Sequence, residues 1–342
     1  MTRTLPSHWY HDVAIYNQEK DKIFKQAWWP VGPERALVAA GAYCALKLFG
    51  HPLLLVRGHD QTLRAFHNVC RHRASPLLQE GDGTCGAIRC PYHGWLYGLD
   101  GKLQKVPLFG DDNGFDPNEH GLMPVRVENW RGLVFVCLSD KTSDLLSWLG
   151  SVDTLCAPFP GPEDLELYKS FEIQGSANWK AYCDNTLEGY HLNLVHPRLA
   201  QALAKGSVEI KSYDEGRVVA FHVTYGSQSE GAELRGNEGV WVYRFPGFQL
   251  TASANVFKGE RIEPASPNRL RSMNWLWYQG ISEEQVEDAC AWSELVVHED
   301  LGACEGVQVN LEAGAYTDGP LSPLQETHVA RFQELVRGAL GA

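Results

Sequence analysis

A chain of 342 residues, 44% hydrophobic and 21% charged, is too long for one hydrophobic core and too apolar to be largely disordered, so two folded domains are expected. Its 30 basic against 42 acidic residues leave a net charge of −12, which excludes nucleic acid and anionic membranes as primary partners. No apolar run reaches the ~18–20 residues of a bilayer span, the Met1–Pro6 start shows no basic and then apolar stretch, and nine cysteines are an odd set, so a cytoplasmic chain with reduced thiols is expected.

In chain order, residues 17–26 read as a short polar helix ended by Trp28-Trp29-Pro30. From about 31 to 138, short apolar runs between Gly-bearing turns have the pattern of strands, and Gly98-Leu99-Asp100-Gly101 is a hairpin signal. The Pro-, Ser-, Thr- and Asp-bearing stretch 141–164 reads as a linker. Residues 178–195 have helical composition up to His196-Pro197. Strand-like segments follow at 208–225, 239–254 and 268–279, and helical composition returns at 283–297, near 300–307 and at 323–340.

Two patterns carry chemistry. The first is Cys70-Arg71-His72 followed by Cys90-Pro91-Tyr92-His93, two loops that each offer one thiolate and one imidazole. Two Cys and two His suit tetrahedral zinc, and equally a Rieske [2Fe–2S] cluster in which one iron takes both sulfurs and the other both imidazoles. A zinc finger groups like ligands together, whereas here each loop serves both irons, which favours the cluster.

The second pattern is Asp184, Asn185, Glu188, His191 and His196. On a continuous helix Asp184, Glu188 and His191 fall at i, i+4 and i+7 on one face. His196 lies about 140° further round, so it joins His191 only if the chain unwinds, which Pro197 favours. Read alone, residues 298–308 are a charged helix surface.

Asn68-Val69-Cys70-Arg71-His72-Arg73 and Cys90-Pro91-Tyr92-His93-Gly94-Trp95-Leu96-Tyr97 closely resemble the cluster motif of the Rieske non-haem iron oxygenases. Asn178-Trp179-Lys180, Asn185, Glu188, Tyr190-His191 and His196-Pro197 resemble that family's mononuclear-iron segment, and Glu299-Asp300 with Cys304-Glu305 and Val307-Gln308 resemble its distal one. Glu188, in a place where ring-hydroxylating members often carry Asp, is closer to the choline monooxygenase and carnitine oxygenase group. The resemblance implies an α+β architecture. An N-terminal helix (1–28) packs on the catalytic domain, an all-β Rieske domain occupies 29–140, and 141–164 is the linker. A helix-grip-like antiparallel sheet with covering helices, at 165–342, forms the catalytic domain.

The resemblance also implies roles. Cys70, His72, Cys90 and His93 hold the [2Fe–2S] cluster, and His191, His196 and Asp300 hold a mononuclear Fe(II). Glu188 bridges the two centres for electrons, and Asp184 and Asn185 stand behind the ligands. Glu299 and His298 leave the helix in other directions. Ser75, Tyr92 and Trp95 replace the disulfide cysteines and the sulfide-bonding serine of the respiratory type, so fewer hydrogen bonds to sulfur and a low potential are expected. Cys85 is read as a structural thiol.

The implied function is a terminal oxygenase that uses O2 and electrons to hydroxylate or N-demethylate a small organic substrate. The acidic chain and Glu188 lean toward a quaternary or methylated amine. Trp241, Tyr243, Trp275, Trp277 and Tyr278 are candidates for an aromatic box around the cation. An aromatic-ring hydroxylase, an O-demethylase and a plain Rieske electron carrier are the rival readings. Without a Gly-x-Gly-x-x-Gly fingerprint, NAD(P)H is expected to be oxidised on a separate reductase or ferredoxin partner. The family further implies a head-to-tail homotrimer in which one chain's cluster serves its neighbour's iron.

Overall fold

The computed structural model describes residues 2–110, 114–204, 206–225 and 236–342. It divides into two compact units, Trp28–Thr142 and a second built from Met1–Ala27 with Ser143–Ala342. None of the described helices is long and apolar enough to cross a membrane.

In the first unit, strands β1 (Trp28–Pro33), β2 (Ala42–Leu48), β3 (His51–Arg57), β4 (Leu63–His67) and β5 (Gly81–Thr84) are followed by β6 (Ile88–Arg89), β7 (Leu96–Tyr97) and β8 (Leu103–Lys105), then by β9 (Pro124–Trp130) and β10 (Leu133–Cys137). They form a seven-stranded antiparallel sheet of order β1-β10-β9-β4-β3-β2-β5 and a three-stranded sheet β6-β7-β8. The apolar runs Leu53–Val56 and Leu133–Val136 are fully buried, which is why they do not alternate with polar residues. The β7–β8 hairpin turns through Gly101, at φ 81°, where a Cβ would meet the Phe66 ring.

The second unit begins with α1 (Val13–Lys22), capped by Asp12, whose carboxylate accepts the N–H groups of Ala14 and Ile15. The stretch expected as a linker carries α2 (Leu145–Leu149) and α3 (Ser151–Cys156) instead. Leu145, Trp148, Leu149, Val152 and Cys156 are buried there, so two short apolar turns outweigh the polar composition around them. Next come β11 (Glu166–Gly175), α4 (Trp179–Thr186), α5 (Leu192–Val195) and α6 (Pro197–Leu203). Strands β12 (Ser207–Tyr213), β13 (Val218–Thr224), β14 (Glu238–Arg244), β15 (Phe248–Ser253), β16 (Val256–Ser266) and β17 (Arg269–Tyr278) follow, then α7 (Glu283–Glu312) and α8 (Thr327–Leu340). The strands form one antiparallel sheet of order β11-β17-β16-β15-β14-β13-β12.

Strand β16 was not legible because charge hides it. Glu260 accepts from Tyr182, Ser272 and Gln249, and Glu263 pairs with Arg261 and Arg271, so its polar residues are buried in bonded sets. The two helical stretches at 283–297 and 300–307 are one helix, α7, opened by a capping box between Ser282 and Gln285.

The N-terminal segment is pinned to α4 by a fully buried ion pair. Lys180 Nζ lies 2.5 Å from Glu19 Oε1, and Trp179 Nε1 donates to Glu19 Oε2 at 2.9 Å. This fixes the helix from which the following site is built.

Candidate functional site: two histidine clusters

In the first unit the two Cys-His loops adopt the same turn. The Cys70 N–H donates to Ser75 O and its carbonyl accepts from Ala74; the Cys90 N–H donates to Trp95 O and its carbonyl accepts from Gly94. Ala74 (φ 57°) and Gly94 (φ 73°) are both left-handed, so each loop turns back at the fourth residue after its cysteine. Cys70 and Cys90 are buried, whereas His72 and His93 are exposed, their ring centroids 4.7 Å apart. The indole of Trp95 stacks on His72 at 4.9 Å. Burial works against a Cys90 thiolate. The N–H groups of Tyr92 and His93 and the Cys70 thiol outweigh it and pull its pKa below the ordinary thiol value.

Tyr97, the last residue of the second motif, has a role the sequence reading did not assign. The Tyr97 hydroxyl accepts the Arg71 N–H at 3.1 Å and lies 3.4 Å from Cys70 Sγ, which aims its proton at the sulfur. Tyr97 thus adds one hydrogen bond at a cluster sulfur, a contact separate from the place of Trp95. Cys85 packs against this unit's core, and no disulfide joins cysteines among the described residues.

In the second unit α4 ends at Thr186, so the expected single helix face for Asp184, Glu188 and His191 does not exist. Glu188 itself turns the chain, accepting the backbone N–H groups of Tyr190 and His191 on Oε2. Its Oε1 receives His191 Nδ1 at 2.6 Å. Before Pro197, His196 leaves helical geometry (φ −123°, ψ 64°) and its ring returns to within 5.2 Å of the His191 ring. Asp300 on α7 completes the group: its Oδ1 lies 2.8 Å from His196 Nε2 and 3.5 Å from His191 Nε2. The ligand atoms of His191, His196 and Asp300 all lie within 4.8 Å of one another.

The outer partners differ in part from expectation. Asn185 Nδ2 donates to Asp300 Oδ1 at 2.5 Å, as expected of a group behind a ligand. Glu299, expected to point away, receives His196 Nδ1 at 2.7 Å. His196 lies over the helix so that adjacent residues take its two nitrogens, an arrangement that helical spacing alone does not reveal. His298 is exposed. Burial opposes the charged forms in this group, but the mutual hydrogen bonds prevail. They hold Asp300 below the usual carboxylate value and raise His191 to about 9.

Asp184 faces elsewhere, being about 100° around α4 from Asn185. Its Oδ2 accepts from Tyr10 (2.7 Å) and Gln333 (3.0 Å), tying the N-terminal segment to α8, and its Oδ1 is buried without a hydrogen-bond partner among the described residues. Burial raises its pKa from 3.8 to about 7, against the bonds from Gln333 and Tyr10 and the charge of Lys180. The folded state thus keeps a proton that the unfolded chain loses near pH 4. The associated stability is complete below that pH and lost as pH rises through about 7. Asp184→Asn, neutral throughout, is expected to exceed the parent's Tm by a margin that grows from pH 5 to pH 8. A lower Tm for the variant at pH 8 contradicts this account.

The triad lines a cavity of about 590 Å³ between the sheet and the helices. Trp241 and Tyr278 line it, together with Phe221, Tyr225 and Trp292. The other box candidates do not. Trp275 and Trp277 are buried on the opposite face of β17 from Leu276 and Tyr278, because alternation places i and i+1 on opposite faces. Tyr243 shares a face with Trp241 but is buried, its hydroxyl donating to Pro246 O.

Comparison with known proteins matches residues 27–116 to the Rieske [2Fe-2S] domain and residues 162–342 to the ring hydroxylating alpha subunit (catalytic domain). The chain is 30% identical over 326 residues to choline monooxygenase, chloroplastic, of Amaranthus tricolor, spanning 92% of this chain and 73% of that one. It is 28% identical over 367 residues to the carnitine monooxygenase oxygenase subunit of Escherichia coli (strain K12), spanning 97% and 92%. A crystal structure of a quaternary ammonium Rieske monooxygenase in complex with L-carnitine superposes with a TM-score of 0.85 at 25% identity, covering 98% of this chain and 95% of that one. The cluster-bearing domain, the catalytic domain and their order along the chain all agree with these relatives, and the chain therefore belongs to the Rieske oxygenases, as a terminal oxygenase alpha subunit.

Proposed function

We propose that this terminal oxygenase hydroxylates or N-demethylates a small quaternary or methylated amine. The observation that carries the reading is the convergence of His191, His196 and Asp300 on the wall of an aromatic-lined cavity. Two imidazoles and one carboxylate fit the facial set that holds a mononuclear iron and leaves positions open. The outer nitrogens are already engaged by Glu188 and Glu299, which turns each Nε2 inward. Cys70, Cys90, His72 and His93 fit a Rieske cluster, with buried sulfurs and exposed imidazoles on two matching loops. Bound there, the cluster supplies single-electron transfer and the mononuclear iron supplies O2 activation. The chain orients both ligand sets, walls the substrate with apolar side chains and offers aromatic faces to a cation.

Electrons are proposed to come from NAD(P)H through a separate reductase or ferredoxin. The chain is proposed to act as a cytoplasmic head-to-tail homotrimer. Choline and carnitine oxidation by the relatives supports the amine reading.

Two experiments test this reading. With a reconstituted reductase, methylated amines are expected to drive NAD(P)H-coupled O2 uptake with formation of formaldehyde or a hydroxylated amine. Turnover of aromatic hydrocarbons alone overturns the substrate class. Cys70→Ala removes a thiolate that no neighbour replaces, and the red-brown absorption is expected to vanish; an unchanged visible spectrum overturns the cluster assignment.

A further inference from the structure

Resting on the methylammonium reading, we propose that Lys258 is a specificity-determining residue that receives a substrate carboxylate, so that the preferred substrate is a short zwitterion carrying both a methylated ammonium and a carboxylate.

The sheet sets this arrangement. One row of paired residues runs across it, from Phe221 to Trp241, Thr251, Lys258 and Leu276, and all five line the cavity. Lys258 and Trp241 are therefore two strand spacings apart, roughly 10 Å between backbones, with only the small Thr251 between them. An indole face and an ammonium flanking one small residue match a molecule whose opposite charges are a few atoms apart.

Lys258 is the only Lys or Arg among the described residues lining the cavity. Its ammonium has one charged neighbour, Glu260 Oε2 at 3.6 Å, and makes no hydrogen bond among the described residues. Its side chain is 18% exposed, so three strong donors are held in a largely apolar cavity without an acceptor at bonding distance. Glu260 is the reverse case. Its carboxylate is buried and accepts from Tyr182, Ser272 and Gln249, so its oxygens are already engaged. Glu260 offsets the charge of Lys258 while leaving the donors free, and a carboxylate entering the cavity fills them. A substrate with only a positive charge gains nothing from Lys258 and meets a like charge.

For the ammonium end, Trp241 is the closest aromatic in the row, held edge-on by Phe221 at 4.6 Å between centroids. The Trp292 ring already carries the Arg198 guanidinium at 4.8 Å.

The test is calorimetric titration of the iron-loaded enzyme without O2, using glycine betaine, L-carnitine and choline, on the parent, Lys258→Met and Lys258→Arg. The parent is expected to bind at least one of the two zwitterions about tenfold or more tightly than choline. In Lys258→Met that preference is expected to fall within about threefold, through weaker zwitterion binding, and in Lys258→Arg to persist. Choline binding as tightly as both zwitterions overturns the proposal from the parent protein alone, whatever the variants do. A preference unchanged in Lys258→Met also overturns it, with an unaltered visible spectrum and Tm as the check on folding. In either of those cases the amine reading stands. If neither zwitterions nor choline bind, the amine reading itself fails and this proposal with it.

Discussion

Asp300→Ala is expected to lower the iron content by about one atom per chain and to abolish turnover, with the visible spectrum of the cluster unchanged. Asp300 is the one carboxylate in the triad, and its Oδ1 faces both imidazole Nε2 atoms. Removing it leaves two neutral ligands, and the Asn185 amide, which donates into that oxygen, cannot replace an anionic acceptor. Glu299→Gln touches only the outer nitrogen of His196 and is expected to weaken iron binding by the ~10–100-fold typical of outer partners. His298→Ala, at an exposed position, is the matched control. Iron content measured on the three variants orders them. A full complement of iron in Asp300→Ala means that the ligand is misassigned.

Glu188→Ala, loaded with excess iron because the outer partner of His191 is gone, is expected to hold both metals yet block electron transfer between them, which rapid mixing of the reduced enzyme with O2 and substrate reads as a cluster that no longer reoxidises at the parent rate. Glu188 fixes the His191 ring and three of its bonds stay within its own chain. Oε2 is filled by its two backbone N–H groups, but Oε1 accepts only His191 Nδ1 and keeps a second lone pair, so Glu188 can also accept from an imidazole of another subunit. On the proposed trimer that imidazole is His93 of the neighbour. Coexpressing His93→Ala with His191→Ala chains tests the arrangement, because each is dead alone while a mixed ring pairs an intact cluster with an intact iron site. With random mixing of equal amounts, about a quarter of interfaces are competent. Absence of activity in verified mixed oligomers places the electron path within one chain.

Much of this was legible because ligands come in fixed chemical sets. The two Cys-His loops announced themselves by matched spacing, and Pro197 correctly signalled that His196 leaves the helix. The reading failed where one side chain serves its own backbone. Nothing in the periodicity says that Glu188 spends an oxygen on the N–H groups of Tyr190 and His191 and so ends the helix early. It failed again where tertiary pairing sets polarity, as in β16, whose carboxylates take partners from other elements: Tyr182, Gln249 and Ser272 on Glu260, and Arg271 on Glu263. Trp275 and Trp277 show the limit of composition: the right residue types stood on the wrong side of the sheet by one position.

The buried Glu19–Lys180 pair spans 161 positions, and the Leu5 N–H bonds Gln333 across 328. At roughly 5–20 residues per second of synthesis, Glu19 waits on the order of ten seconds or more for its lysine, and Leu5 waits about twice as long for Gln333. Meanwhile Trp28–Thr142 has emerged in full, with all of its strand partners local to it. The catalytic unit, by contrast, cannot close until α8 has emerged from the ribosome. Birth order thus separates the two centres: the cluster-bearing part can fold while the chain is still being made, and a ribosome stalled before α8 leaves the first 27 residues without their last anchors.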